Sequence, residues 1–221
     1  MNRRNFIKFL AIQSFFLLAG KKAYCSNLKN EKIEIILTID DGPRKTMKNT
    51  LEQLGENNKN PAIFYVIGEN LNNTYAKELA KNSLTNGHLL GNHSYTHPYF
   101  SKICFKTAKK EIDKTEELIE KIHQEANIPR SRKLFRFPYG NENPEIREYL
   151  KEEGYLIQGW NVDSNDWKYY SKEKKYNLDT IINNCKKAKN RDIVLLHELP
   201  LTSNYVIPFF SNSEKYSLVL P

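Results

Sequence analysis

Two adjacent carboxylates near the start of the chain have the residue types and position that chemistry needs. Asp40 and Asp41 follow an apolar run, residues 33–37, and precede Gly42 and Pro43, which predict a turn. The pair should therefore lie at the C-terminal end of a parallel strand, where α/β proteins place their active sites. Because neighbouring strand residues point in opposite directions, we expect one carboxylate to bind a cation and the other to move a proton. A solvated Asp-Asp-Gly turn is the alternative.

Two histidines further along the chain supply the partner that these carboxylates need. His93 and His97 lie four residues apart, directly after a short apolar stretch at residues 88–92. Two such imidazoles can face one cation if the backbone makes a helical turn. Neutral imidazoles plus one carboxylate form a common ligand set of catalytic zinc, which keeps one coordination position for water. Both motifs follow strands, so the sequence predicts a metal site where they meet.

Arginine and histidine end two later predicted strands. Arg136 precedes Phe-Pro-Tyr-Gly; its guanidinium could keep a carboxylate ionised through a bidentate pair, and the Tyr139 amide could point at an oxyanion. His197 ends the apolar run that precedes Glu198, which suits a general acid. A surface arginine and a structural histidine are the alternatives.

A polar loop lies between those two motifs. Asp163, Asp166 and Trp167 follow another predicted strand. A carboxylate here could raise the basicity of a nearby histidine, and the indole could form an apolar or sugar-stacking wall. Alone, this segment reads as an ordinary loop. The five motifs nevertheless share one placement, after strands, and unrelated polar turns need not align in this way.

Alternating apolar runs and amphipathic runs define the elements that must position these residues. The predicted strands cover residues 33–39, 61–67, 88–92, 134–137, 155–162, 193–196 and 217–220. The predicted helices cover residues 46–57, 74–86, 103–127, 144–153 and 178–189, with a short one at 205–210. This order favours an α/β fold in one domain, a distorted (β/α) barrel of about seven parallel strands, with a doubly wound sheet as the alternative.

The 221 residues suit one domain plus a tail, and the formal net charge is +8. The basic residues are scattered and no nucleic-acid-binding motif is present, so we expect no nucleic-acid partner. Residues 1–26 carry Arg3, Arg4 and Lys8 before an apolar run, which predicts a signal peptide of twin-arginine type that engages export machinery. An ordinary signal or an uncleaved anchor is the alternative. Residues 31–221 are then the functional domain.

The five motifs, in this order, resemble those of the polysaccharide deacetylase family, carbohydrate esterase family four. The family pattern is Thr-Phe-Asp-Asp-Gly-Pro, His-Ser/Thr-x-x-His, Arg-x-Pro-Tyr, Asp-x-x-Asp-Trp and Leu-x-His. This chain has Ile39 in place of the phenylalanine. The resemblance implies a distorted barrel of seven strands and one divalent metal, most often zinc, with cobalt, manganese or nickel as alternatives. Because the chain after His197 is short, the final helix should be abbreviated.

The resemblance also implies roles for individual residues. Asp41, His93 and His97 would hold the metal. Asp40 would be the base that takes a proton from the attacking water, and Arg136 would orient Asp40.

The remaining roles concern the oxyanion and the leaving group. The Tyr139 backbone amide would help to stabilise the oxyanion. His197 would protonate the leaving amine, and Asp166, together with Asp163, would tune it.

The predicted function is that of an exported, metal-dependent hydrolase that removes N-acetyl groups from an amino-sugar polymer such as peptidoglycan. It would cleave carbon–nitrogen amide bonds other than peptide bonds, with a carbohydrate polymer as substrate. Two alternatives remain open: an esterase that acts on O-acetyl sugars with the same site, and a non-catalytic carbohydrate-binding module.

Overall fold

Short apolar runs form a sheet in which every strand pair is parallel. The structure is a computed structural model that describes residues 31–169 and 177–221, so the predicted signal peptide at 1–26 lies outside the described residues. The strands are β1 (Ile33–Gly42), β2 (Ile63–Val66), β3 (Leu89–Asn92), β4 (Lys133–Phe135), β5 (Tyr155–Ile157), β6 (Val162–Asp163), β7 (Asp192–His197) and β8 (Tyr216–Leu218). The α-helices are α1 (Met47–Leu54), α2 (Thr74–Thr85), α3 (Phe105–Ala126), α4 (Pro144–Glu152), α5 (Leu178–Cys185) and α6 (Ile207–Ser211).

The sheet is a distorted, open barrel, as predicted. Its strand order is β5-β4-β3-β2-β1-β7-β6, and β8 pairs with the first residues of β1. Ile35 pairs with Asp192 of β7 and also with Leu218 of β8, so β7 and β8 lie on opposite edges of β1. Strand β1 therefore pairs with three neighbours, and its C-terminal end lies between the ends of β2 and β7.

Both faces of the sheet are buried, which explains the nearly continuous apolar runs. Ile35, Leu37 and Ile39 of β1 pack in the large cluster that includes residues of the surrounding helices. Ile36 alternates to the other face and packs against Tyr65 in a smaller cluster. In the described ranges, no helix is both long enough and apolar enough to cross a membrane.

Helices α2 and α4 begin where their sequences indicate, whereas α1 ends at Leu54 and α5 at Cys185, before the predicted ends at residues 57 and 189. The Asn73 side chain accepts hydrogen bonds from the first turn of α2, and Asn143 does the same for α4, which then starts at Pro144. Helix α3 buries Ala108, Ile112, Thr115, Ile119 and Ile122 along one face. It ends at Asn127, whose φ of 53° is left-handed.

Two predicted elements differ in kind from the observed ones. The single strand expected at residues 155–162 is broken into β5 and β6, because the chain must cross from the β4 edge to the β7 edge of the open sheet. The short helix expected at 205–210 is a π-helical turn, Thr202–Val206, that continues into α6. This segment covers the large cluster, with Phe210 fully buried.

Candidate active site

Three predicted ligand atoms converge at the C-terminal ends of β1 and β3. Each of Asp41, His93 and His97 offers one ligand atom, and these atoms lie within 4.8 Å of one another. The Nε2 atoms of the two histidines are 3.2 Å apart, and Asp41 Oδ1 lies 3.4 Å from His97 Nε2 and 3.8 Å from His93 Nε2. The three residues that were predicted to hold a cation therefore share one small volume.

A β-bulge aims both carboxylates at the same volume. Asp40 pairs with Tyr65 of β2 but Gly42 pairs with the next residue, Val66, so Asp41 is an inserted residue. Its φ is 71°, in the left-handed region. Asp40 Oδ2 consequently lies 3.6 Å from His93 Nε2, on the same side as Asp41. The expectation that the two side chains point in opposite directions is wrong, because it assumed an unbroken strand.

A turn, rather than a helix, brings the two histidines together. Ser94 and His97 have φ values of 65° and 60°, and the His97 amide donates to Ser94 Oγ over 3.1 Å. Glu111 of α3 fastens this turn by accepting hydrogen bonds from the amides of Tyr95 and Thr96, at 2.9 and 2.6 Å. The helical turn assumed from the four-residue spacing does not form, but the imidazoles still meet.

The donor set fits a divalent metal. His93 Nδ1 lies 2.8 Å from the Arg136 carbonyl, and a proton on Nδ1 leaves the Nε2 lone pair free for a cation. Burial lowers the pKa of His93 to about 3, and burial is also the main cause that lowers the pKa of His97, so both rings are neutral. Asp41 Oδ1 is buried without a hydrogen-bond partner. Two neutral imidazoles and an unpartnered carboxylate oxygen are what zinc and similar cations require.

Arg136 holds Asp40 in place. One guanidinium nitrogen donates to Asp40 Oδ1 and to Thr38 Oγ1, both at 2.8 Å. This contact uses a single nitrogen, so the predicted bidentate pair is wrong. Burial raises the pKa of Asp40, and the nearby Arg136 charge opposes that rise. A fixed carboxylate with a raised pKa is a better proton acceptor than an ordinary aspartate.

The remaining donors of Arg136 contact the segment in which the chain crosses from one edge of the open sheet to the other. They donate to the carbonyls of Gln158 and Gly159, at 3.1 and 2.8 Å, in the segment between β5 and β6. The Tyr65 ring lies 4.2 Å from the guanidinium, and the Tyr65 hydroxyl bonds Gln158 Oε1. Arg136 is 1% exposed, so it is a buried residue at the open side of the barrel rather than a surface arginine.

His197 and Asp166 form a second pair next to the first. His197 pairs in register with Asp40 across β1 and β7, and its Nδ1 lies 2.7 Å from Asp166 Oδ1. Asp166 is fully buried and also accepts from the His197 amide and from Thr202 Oγ1, at 2.8 and 2.6 Å. Burial lowers the pKa of His197, but the hydrogen bond and charge of Asp166 outweigh it and raise that pKa to about 9. His197 is therefore protonated near neutral pH.

Three further predicted residues, Asp163, Trp167 and Tyr139, lie outside these two pairs. Asp163 Oδ1 accepts from the Asn165 amide at 2.7 Å, which shapes the loop and does not reach His197. Trp167 is 51% exposed beside this loop. The Tyr139 backbone is left-handed, with φ 59°, and its ring stacks on Tyr99 with the ring centroids 4.0 Å apart.

Glu198 is the main residue that sequence reasoning missed. Its buried Oε1 accepts from the Arg44 amide, Thr46 Oγ1 and the Met47 amide, at 2.6, 3.0 and 3.0 Å. The Glu198 amide donates to the Asp40 carbonyl at 2.9 Å. Glu198 thus ties the turn after Asp41 to the strand that carries His197. Its place directly after His197 was the only signal for Glu198 in the sequence. Glu111 gave no signal because its partners are remote in the chain, and Thr38 was indicated only as the first residue of the motif that contains Asp40 and Asp41.

Comparisons with known proteins agree with this geometry. The sequence model described as polysaccharide deacetylase matches residues 27–157. The peptidoglycan-N-acetylmuramic acid deacetylase PdaC of Bacillus subtilis is 34% identical over 174 residues, which are 79% of this chain and 34% of that protein. The chain thus spans about a third of that relative. A peptidoglycan-N-acetylglucosamine deacetylase of Bacillus cereus is 34% identical over 173 residues, 76% of this chain and 74% of that protein.

Solved structures show the same fold. The structure of the Bacillus subtilis peptidoglycan deacetylase PdaC superposes with a TM-score of 0.70 at 30% identity, covering 87% of this chain and 89% of that chain.

A bifunctional xylanase/xylan deacetylase of Cellvibrio japonicus is also a relative, 30% identical over 73% of this chain and 22% of that protein. The sequence model match covers more than half of the 221 residues, and the Bacillus cereus relative is covered over most of its length. The chain belongs to the polysaccharide deacetylase family.

Proposed function

We propose that this protein is a metal-dependent hydrolase that removes N-acetyl groups from an amino-sugar polymer, with peptidoglycan as the first candidate. The observation that carries the proposal is the convergence of Asp41, His93 and His97 beside two proton-transfer pairs. Several relatives in the family are named as peptidoglycan deacetylases, and metal dependence is general in this family.

Asp41, His93 and His97 would hold the metal. Zinc is the first choice because two imidazoles and one carboxylate suit it, with cobalt, manganese or nickel as alternatives. When bound, the metal would polarise the acetyl carbonyl and make water more acidic, to a pKa of about 7. His97 and Asp41 keep about a fifth to a quarter of their side-chain surface exposed, 19% and 24%, so substrate and water can approach them.

Asp40 would remove the proton from the attacking water. Its raised pKa favours this transfer, and the bond from Arg136 to Oδ1 keeps its Oδ2 turned toward the metal-binding residues. The Tyr139 amide would donate to the oxyanion that forms on the acetyl carbon. These groups act on the carbonyl side of the bond.

His197 would act on the leaving-group side. An amine leaves poorly unless it is protonated, and a positioned acid typically contributes roughly 10²–10⁴-fold. Asp166 fixes Nδ1, so Nε2 is the nitrogen that would give its proton to the departing amine. The raised pKa of His197, about 9, supports this role, because the proton is present at neutral pH.

The proposed export would agree with peptidoglycan as the substrate, because peptidoglycan lies outside the cytoplasm. The proposed signal peptide at residues 1–26 would direct the protein to the periplasm or the cell exterior, through the twin-arginine route. Residues 31–221 would form the catalytic domain. A double substitution, Arg3→Lys with Arg4→Lys, should then block export of the folded protein; normal export would remove the twin-arginine part of the proposal.

An O-acetyl sugar esterase is the second candidate, because a xylan deacetylase is among the relatives and xylose carries no amino group to acetylate. Acetate release from purified N-acetylated glycan strands and from acetylated xylan separates the two. The wild type should release acetate from the amino-sugar polymer at least tenfold faster. Asp40→Asn should abolish release while sugar binding remains. Equal, near-zero release by both proteins, with retained binding, would instead indicate a carbohydrate-binding module.

A further inference from the structure

A cleft of about 680 Å³ lies beside the turn that carries Asp41. One wall is the segment directly after the bulge, with Pro43, Arg44 and Lys45, and the other is the start of α2 and the turn before it, with Asn70 and Tyr75. None of these residues has a role in the proposed mechanism. The cleft is therefore a separate feature that borders the candidate active site.

The cleft is attached directly to the metal-binding turn. Asn70 Nδ2 donates to the carbonyls of Asp41 and Gly42, at 3.1 and 3.2 Å. The opposite wall is fixed through the Arg44 amide, which donates to Glu198 Oε1 at 2.6 Å. Because the cleft adjoins this turn, a polymer whose acetyl group reaches the metal-binding residues could extend along these walls. The position of the cleft therefore suits a neighbouring unit of the same chain.

The charge of the cleft is positive. Arg44 and Lys45 are exposed, and within residues 31–169 and 177–221 neither has a carboxylate within ion-pair distance. Among the described residues, Glu69 is the one acidic residue that lines the cleft, so two cations face one carboxylate there. Tyr75 adds a ring that is 49% exposed, and an exposed ring can pack against the C–H face of a sugar. These groups together match a sugar that carries a negative charge.

We propose that this cleft is a subsite for a carboxylate-bearing sugar unit next to the unit that is deacetylated. The proposal rests on the proposed function and narrows it to a glycan with carboxylates. In peptidoglycan, the carboxylate could belong to the lactyl ether of N-acetylmuramic acid or to a peptide attached to it. Both sources present the same chemistry to Arg44 and Lys45.

The test compares the double variant Arg44→Gln, Lys45→Gln with the wild type. Substrates are a tetrasaccharide of alternating N-acetylglucosamine and N-acetylmuramic acid with free lactyl carboxylates, the same glycan with attached peptides, and a neutral N-acetylglucosamine tetramer. Exposed ion pairs are weak, so KM for the carboxylate-bearing glycan should rise about 5- to 10-fold with kcat unchanged. KM for the neutral tetramer should change less than twofold.

The control variant Lys106→Gln, Lys110→Gln removes the same charge from exposed positions on α3 that line a different cleft, and it should leave all three KM values unchanged. A loss confined to the peptide-bearing glycan assigns the carboxylate to the peptide, and a loss with the free lactyl form assigns it to the sugar. Equal effects on neutral and anionic glycans, or no effect on either, would overturn the subsite.

Binding gives a readout that does not depend on turnover. In an Asp40→Asn background, calorimetry should show the same 5- to 10-fold weakening for the anionic tetrasaccharide when Arg44 and Lys45 are replaced. Charge-dependent binding without acetate release by the wild type would refute the proposed function and retain the subsite. Acetate release by the wild type without charge-dependent binding would retain the proposed function and refute the subsite.

Discussion

Replacement of Glu198 by glutamine should change how the stability of the protein depends on pH. Burial raises the pKa of Glu198 from its ordinary 4.5 to about 7, although hydrogen bonds from Thr46, Arg44 and Met47 oppose the rise. Between these pH values the folded protein binds the proton more tightly than the unfolded chain. The contribution of Glu198 to the free energy of unfolding is therefore full below pH 4.5 and is lost as pH rises through about 7.

The magnitude follows from the two pKa values. The difference between them corresponds to a loss of about 2.5 kcal/mol between pH 5 and pH 8. Glutamine keeps an acceptor for the same three donors but cannot ionise, so the variant should lack this slope. Its Nε2 would replace Oε2, which is buried without a hydrogen-bond partner. The wild type should thus lose stability relative to Glu198→Gln as the pH rises.

Urea unfolding of both proteins at pH 5, 6, 7 and 8 measures this difference. A chelator in every sample removes metal binding as a separate source of pH dependence. Other groups titrate in both proteins and cancel in the comparison. A difference in unfolding free energy that stays constant across this range would refute the reasoning, because Glu198 would then have the same pKa folded and unfolded.

Three further outcomes follow from the site. Asp166→Asn should lower kcat by roughly 10²–10⁴-fold. It should also move the alkaline limb of the pH profile of kcat to lower pH, because the Asp166 charge raises the pKa of His197. An alkaline limb at the wild-type pH would contradict this. Gly42→Ala should destabilise the protein by about 1–3 kcal/mol in thermal unfolding, because the new Cβ would collide with Glu198 Oε2. Adding Glu198→Ala to this variant should relieve the collision. If the two substitutions destabilise additively, the collision is not the cause. A chelator should abolish acetate release. Added zinc or cobalt should restore release in the wild type but not in Asp41→Asn. Full activity of the metal-free protein would show that the reaction does not depend on a metal.

The sequence predicted the strands because their apolar runs are buried on both faces, and it predicted the site because parallel strands end at one edge. It did not predict how Asp40 and Asp41 are aimed. A bulge depends on the register with β2, and register is a property of two segments that are remote in the chain. The turn at Ser94 and His97 was likewise missed, since two left-handed residues there have no glycine to indicate them.

The hydrogen bonds that support the candidate site could not be predicted from the sequence pattern either. Glu111 and Glu198 are charged residues whose spacing resembles that of solvent-exposed positions, yet each accepts hydrogen bonds from the backbone of another element. Arg136 was assigned to Asp40 by resemblance, and the contact is present. Its bonds to the backbone between β5 and β6 could not be anticipated, because residues 155–162 were expected to form one strand.

Those bonds mean that one guanidinium both binds the backbone at the open side of the barrel and holds Asp40, the proposed base. The side chain of Arg136, which directly follows β4, donates to backbone carbonyls of the segment that crosses between the two edges of the open sheet. A shorter or singly donating cation at this position would leave buried carbonyls without donors and would also loosen Asp40. Protein engineering at Arg136 therefore cannot adjust turnover and wall integrity independently.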